Sequence, residues 1–131
     1  MINVGIIGYG KMGQIRNQVI SSITDVQVLS IYDPANVGSE IKKVKSPDQI
    51  IENPNIDAVF ISTPNYLNKP LTIQSLKGGK HVFCEKPPAF TAKDVEDIRA
   101  VEKKSKKILM YGFNHRHHGS IRNMKQLIEN K

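Results

Sequence analysis

The chain has 131 residues, enough for one hydrophobic core and too few for two ordinary domains. Its net charge of +7 invites a nucleic-acid partner, but the lysines fall in short clusters (Lys42, Lys43, Lys45; Lys103, Lys104, Lys106, Lys107) at the edges of expected elements. No RNA-binding aromatic signature accompanies them, which argues against that partner.

One cysteine, Cys84, excludes an internal disulfide. No apolar run approaches membrane-spanning length, and the sequence opens on a strand pattern, not a leader, so a soluble cytoplasmic protein is expected. That first strand carries Ile2, Val4, Ile6 and Ile7, and Gly8-Tyr9-Gly10-Lys11-Met12-Gly13 follows at once as G-x-G-x-x-G. The spacing suits a dinucleotide. Gly8 permits a tight turn, Gly10 lets a pyrophosphate approach the backbone, and Gly13 lets the next helix pack close to the strand. The unpaired N–H groups and positive end of that helix form an anion site. Met12, Ile15, Val19, Ile20 and Ile23 predict one buried helix face.

Val26, Val28, Leu29 and Ile31 make a second strand ending at Asp33, twenty residues past Gly13. A dinucleotide fold places its ribose-binding carboxylate there, although Asp33-Pro34 by itself also reads as a turn start. The stretch from Pro34 to Lys45 has no clean period and predicts only a very short third strand near residues 41–45. Ser46-Pro47-Asp48-Gln49 reads as a capped helix start, with Gln49 returning the bond of Ser46. Residues 56–62 read as a strand buried on both faces, turning at Thr63-Pro64-Asn65. A helix around residues 69–77 ends at Gly78-Gly79. His81 to Cys84 is the next strand and leads into Glu85-Lys86-Pro87. Thr91 with Asp94 caps a further helix, residues 108–111 form the last strand, and an amphipathic helix bears Ile121, Met124, Leu127 and Ile128.

This alternation predicts an α/β fold: a doubly wound parallel Rossmann sheet of order 3-2-1-4-5-6 with helices on both faces. The expected division is a dinucleotide-binding domain over residues 1–119 and a terminal helix over 120–131. Ligands bind at the carboxyl ends of such strands, where the glycine turn, Asp33, Thr63 to Asn65 and Glu85 to Pro87 all fall.

The glycine turn, Asp57-Ala58-Val59 leading to Thr63-Pro64-Asn65, Glu85-Lys86-Pro87 and Gly112-Phe113-Asn114-His115-Arg116 together resemble the N-terminal domain of the Gfo/Idh/MocA oxidoreductases. The likeness covers essentially the whole chain. It implies hydride transfer between NAD or NADP and a hydroxyl of a sugar, inositol or sugar nucleotide. It also implies a second α/β domain beyond the end of this sequence, and Asn68 departs from the histidine frequent at that position in the family.

By resemblance Lys86 is the catalytic residue, placed to take the alcohol proton or polarise a carbonyl; by its residues alone it fits a surface lysine before a proline turn better. Glu85 either accepts from nicotinamide-ribose hydroxyls or pairs with Lys86. The cofactor-binding set is then Gly8, Tyr9, Gly10, Lys11, Met12, Gly13, Asp33, Thr63, Pro64, Asn65, Glu85 and Lys86. NAD is favoured over NADP, because Asp33 repels a 2′-phosphate and no basic residue follows it closely. No metal is expected: His115, His117 and His118 lack a neighbouring cysteine or carboxylate to complete a ligand set. A homo-oligomer is expected from the apolar residues of the last helix, and a stand-alone nucleotide-binding or sensor module is the alternative reading.

Overall fold

Strands and helices alternate as the apolar periods require, in a computed structural model that describes residues 1–35 and 38–130. The order is β1 (Ile2–Ile7), α1 (Lys11–Ser21), β2 (Val26–Tyr32), α2 (Asp48–Ile51), β3 (Ala58–Ile61), α3 (Asn65–Lys77), β4 (His81–Cys84), α4 (Ala92–Ser105) and β5 (Leu109–Tyr111). A 3₁₀ turn (Asn114–His117) and α5 (Gly119–Glu129) follow.

The five strands are parallel and ordered β2-β1-β3-β4-β5. The expected extra strand near residues 41–45 is reduced to one parallel bridge, Lys43 to Ile31, on the outer edge of β2. Ile31 N–H donates to the Lys42 carbonyl and Val44 N–H to the Ile31 carbonyl, both at 2.9 Å. The segment offers only Ile41 and Val44 as apolar side chains, and they pack on opposite cores, so nothing extends the pairing. Counting the bridge as the third position, the predicted order stands. Asn36 and Val37, within the irregular connection, lie outside the described residues, as does Lys131.

Because side chains alternate along each strand, the register sorts them into rows. One row, Tyr32, Ile7, Ile61, Cys84 and Tyr111, enters the larger core beneath α2, α3 and α4 with Ile50, Leu76 and Ile98. Burial there raises the Cys84 thiol to about 11, a packing residue's environment. The opposite row, Ile31, Ile6, Phe60, Phe83 and Met110, passes from complete burial at Ile31 and Ile6 to half exposure at Met110. Among the described residues, α1 is the helix that covers that face, with Ile41 packed at its edge.

The α1 stripe is correspondingly less buried than its period predicts. Ile20 is buried in the second core, whereas Val19 and Ile23 are 52% and 50% exposed. Helical period determines which residues share a face; a neighbouring element must cover that face, and α1 has the sheet on one flank only. Gln49 also differs from expectation: its side-chain oxygen accepts from Lys45 N–H at 2.7 Å, and α2 has no side-chain cap. The Thr91–Asp94 capping box of α4 is present as predicted.

A lysine ties α3 to α4: Lys69 Nζ donates to Asp94 at 2.6 Å and to Asp97 at 2.8 Å. These bonds hold both carboxyls below, and the ammonium above, their ordinary values. A depressed carboxylate contributes stability that is complete above the unfolded value near about 4 and is lost as pH falls through the lower folded value. Lys69→Met should therefore flatten the decline of melting temperature below about pH 4 relative to the wild type. Superimposable acid-side profiles from calorimetry at stepped pH would refute this linkage.

Candidate functional site

The glycine turn joins β1 to α1 through backbone contacts that admit no side chains at two positions. Gly8 has φ +88°, and a Cβ there would lie 2.5 Å from the Ser62 carbonyl oxygen. A Cβ on Gly13 would overlap the Gly8 carbonyl. Gly10 is different: its Cβ direction is open space at the mouth of the site. Gly10 is the N-cap residue, so the N–H groups of Lys11, Met12 and Gly13 stand at the positive end of α1, over that open space.

Asp33 follows β2 beside this turn. Its Oδ2 accepts from Tyr9 N–H at 2.7 Å and its Oδ1 from Ala35 N–H at 2.8 Å. A carboxylate has about four acceptor sites, so both oxygens keep capacity for a ligand hydroxyl. Tyr9 serves through its backbone only; its ring is buried in the second core and its hydroxyl accepts from Asn17 at 2.9 Å.

A crevice of about 430 Å³ gathers Gly8, Gly10, Asp33, Thr63 and Pro64 with Pro47, Tyr66 and Leu67. Tyr66 and Leu67 carry no signal of their own in the sequence, and Pro47 reads there only as part of a helix start. They arrive because α2 and α3 begin at the same edge of the sheet. Asn65, Lys11 and Met12 are exposed at helix starts around this edge.

Glu85 and Lys86 follow β4 further along the edge and diverge. Lys86 is exposed, and its bond to Pro87 is cis. Glu85 is buried, and its partner is Arg16 of α1, whose Nε donates to Oε1 at 2.7 Å. The Arg16 guanidinium also stacks over Phe83 at 4.8 Å and reaches Asn114 at 3.3 Å. Of the two expectations for Glu85, pairing with Lys86 gives way to pairing with Arg16. Asn68, fully buried, donates to the Glu85 carbonyl at 3.2 Å and to the Pro87 carbonyl at 2.8 Å, and accepts from Thr63 at 3.3 Å. It thereby couples the turn after β3 to the turn after β4. The sequence showed Asn68 as a departure from a family pattern without indicating this role.

Tertiary structure also brings basic residues to Asp33. Lys43 Nζ donates to the Ala35 carbonyl at 2.5 Å, so the absence of a following basic residue in the sequence does not carry over into space. Among the described residues no group of three or more His, Cys, Asp or Glu side chains is arranged to hold a metal, and no helix is long and apolar enough to cross a membrane.

The oxidoreductase-family model with an NAD-binding Rossmann fold, Gfo/Idh/MocA, matches residues 2–113. Myo-inositol 2-dehydrogenase of Thermotoga maritima is 33% identical, over 98% of this chain and 41% of its own length. An NAD-binding protein from Listeria innocua superposes with a TM-score of 0.90 at 31% identity, covering 98% of this chain and 40% of that one. Scyllo-inositol dehydrogenase from Lactobacillus casei, solved with NAD(H) and scyllo-inositol, gives 0.89 at 26% identity, covering 99% and 41%. The chain thus spans about two fifths of the length of these relatives. They lend no support to the stand-alone sensor reading.

Two expected outcomes follow from the geometry. Gly10→Val should retain the wild-type melting curve yet lose NADH binding, whereas Gly13→Val should lower stability, because only the second forces side chain into backbone. Wild-type NADH affinity in Gly10→Val, measured by fluorescence titration, would contradict this. Arg16→Met should cost about 3 kcal/mol in urea unfolding by leaving the Glu85 charge buried without its partner. Adding Glu85→Gln should restore most of that loss; equal unfolding midpoints for wild type and Arg16→Met would remove the pair's structural role.

Proposed function

The chain belongs to the Gfo/Idh/MocA oxidoreductase family with an NAD-binding Rossmann fold, and from that membership we propose that it is the cofactor-binding part of a polyol or sugar dehydrogenase. The observation that carries this reading is the pairing of open space over Gly10, at the N-terminus of α1, with the Asp33 carboxylate at the adjoining strand end. An anionic pyrophosphate fits the first, and ribose hydroxyls fit the second.

In this reading the N–H groups of Lys11, Met12 and Gly13 hold the pyrophosphate, and Asp33 accepts from the adenosine ribose. Thr63, Pro64 and Asn65 bound the dinucleotide from the β3 side. Bound NAD would supply the hydride acceptor. Lys86 takes the proton of the substrate hydroxyl, or returns it in reduction, from its place after β4. Glu85, held by Arg16, orients the ribose nearer that end. NAD is preferred over NADP, since the Asp33 carboxylate favours a hydroxyl and opposes a phosphate. The substrate class follows the inositol dehydrogenases among the relatives. A reducing, cytoplasmic setting suits the single buried thiol.

Self-association is part of the same proposal. Phe113, Met124, Leu127 and Ile128 are 49–71% exposed, and the apolar stripe of α5 packs on no sheet face among the described residues. Apolar surface of that extent favours a second copy or a further domain.

For the 131-residue chain by itself, NADH fluorescence should change on mixing while no nicotinamide absorbance change occurs with inositols and sugars. Near-attack placement and water exclusion need walls around Lys86 that this exposed position does not have. Light scattering should report a dimer or larger species. Turnover with any polyol would overturn the division of labour, and absence of NADH binding would overturn the cofactor assignment.

A further inference from the structure

The edge strand β5 has three residues and pairs with β4 alone, so little holds its start in place. At its carboxyl end the ladder closes with Gly112 N–H donating to the Cys84 carbonyl at 2.9 Å. Four residues back on both strands, the same parallel pattern would bring Ile108 N–H to the Lys80 carbonyl. The His81 ring takes that bond instead: Ile108 N–H donates to His81 Nδ1 at 3.1 Å, while the Ile108 carbonyl accepts from Val82 N–H at 2.9 Å.

A ring nitrogen that accepts carries no proton, so this bond exists only with the neutral imidazole, its proton on Nε2. Protonation would turn Nδ1 into a donor facing another donor. The surroundings offer the added charge little to pair with. His81 is half-buried and, two residues before Phe83, lies on the sheet face that α1 covers incompletely. The charged residues of α1 are Lys11 and Arg16; Lys11 begins the helix at the carboxyl edge, and Arg16 is bonded to Glu85. At the amino edge stand Asp57 before β3, Lys80 before β4, and Lys106 and Lys107 before β5. Burial lowers the Lys80 ammonium, Asp57 raises it and Lys107 lowers it again, so these charges act on one another across the strand starts. Lys80 Nζ is spent on the Asn53 and Ile56 carbonyls, and the Asp57 carboxylate already accepts from Asn3 N–H at 2.8 Å. A protonated ring therefore joins three lysines beside one engaged carboxylate.

The far end of β5 leads into the Glu85 side of the sheet. A Cβ on Gly112 would meet the Glu85 carboxylate at 2.6 Å, and Asn114 accepts from Arg16 at 3.3 Å. We propose that His81 is a proton-operated latch on β5: the neutral ring fastens the start of the strand to β4, and protonation releases it and loosens Gly112 at the other end. A three-residue strand with one neighbour opens as a unit, which carries the release from one edge of the sheet to the other.

The test is amide hydrogen exchange of the whole chain resolved by NMR and corrected for intrinsic rates, at about pH 7.5 and about pH 5.5, the range in which imidazoles titrate. Protection of Ile108 N–H in the wild type should be about fivefold to tenfold lower at the acid value, the size of one hydrogen bond, and Gly112 N–H should fall with it. His81→Asn keeps an acceptor oxygen on the same side-chain branch and cannot titrate, so its protection should be alike at both values. His81→Phe has no acceptor and should show low protection at both. The exposed His115, His117 and His118 remain in every variant, so a difference among them belongs to His81. Equal pH dependence of Ile108 protection in wild type and His81→Asn would overturn the latch, as would an Nδ1–H tautomer in the imidazole nitrogen shifts at about pH 7.5. A fall at Ile108 with none at Gly112 would overturn its reach to the carboxyl edge.

Discussion

Backbone meets backbone at Gly8 and Gly13, and the rest of the site depends on that approach. A side chain at Gly13 would push α1 away from the end of β1, and one at Gly8 would push the turn away from Ser62 at the end of β3. Both glycines lie within three residues of Gly10, the N-cap at the positive helix end. The close approach therefore sets where the unpaired N–H groups stand relative to the strand ends. Asp33 is then held to the same turn by Tyr9 N–H, so the start of α1 and the carboxylate after β2 are tied together at one turn.

The two faces of the sheet are unequally finished. Beneath α2, α3 and α4 the row from Ile7 through Ile61 to Cys84 is fully buried. On the other face burial fades from Ile6 through Phe60 and Phe83 to Met110, and Arg16 lies over Phe83 where an apolar residue would be ordinary. An arginine suits that position because its guanidinium stacks on the ring while its N–H groups satisfy the buried Glu85. One side chain thus bridges the cover of the sheet and the carboxyl edge of its strands.

Neighbouring polar groups at this edge have different surroundings. Glu85 is buried and clamped, whereas Lys86, the next residue, is exposed. Asn68 holds the intervening backbone by accepting nothing from it and donating twice, to the carbonyls of Glu85 and Pro87. A buried amide with both donors used restricts the turn more than an apolar residue of similar size would. The backbone on either side of Lys86 is thereby held from α3.

The amino-acid sequence by itself determined the glycine turn, the alternation of strands and helices, the capping box at Thr91 and the position of Asp33, because each depends on residues a few places apart or on a fixed spacing within one strand–helix–strand unit. Family membership was legible for the same reason, through short motifs at the carboxyl ends of successive strands. The third strand was legible only as a weak segment, since a single bridge at Lys43 leaves almost no periodic trace. The tertiary structure alone decided that Glu85 pairs with Arg16, 69 residues away, that Asn68 staples two turns, and that Lys43 stands beside Asp33. Those contacts join elements whose separation is set by crossover packing and sheet register, and no local spacing encodes where two such elements will meet.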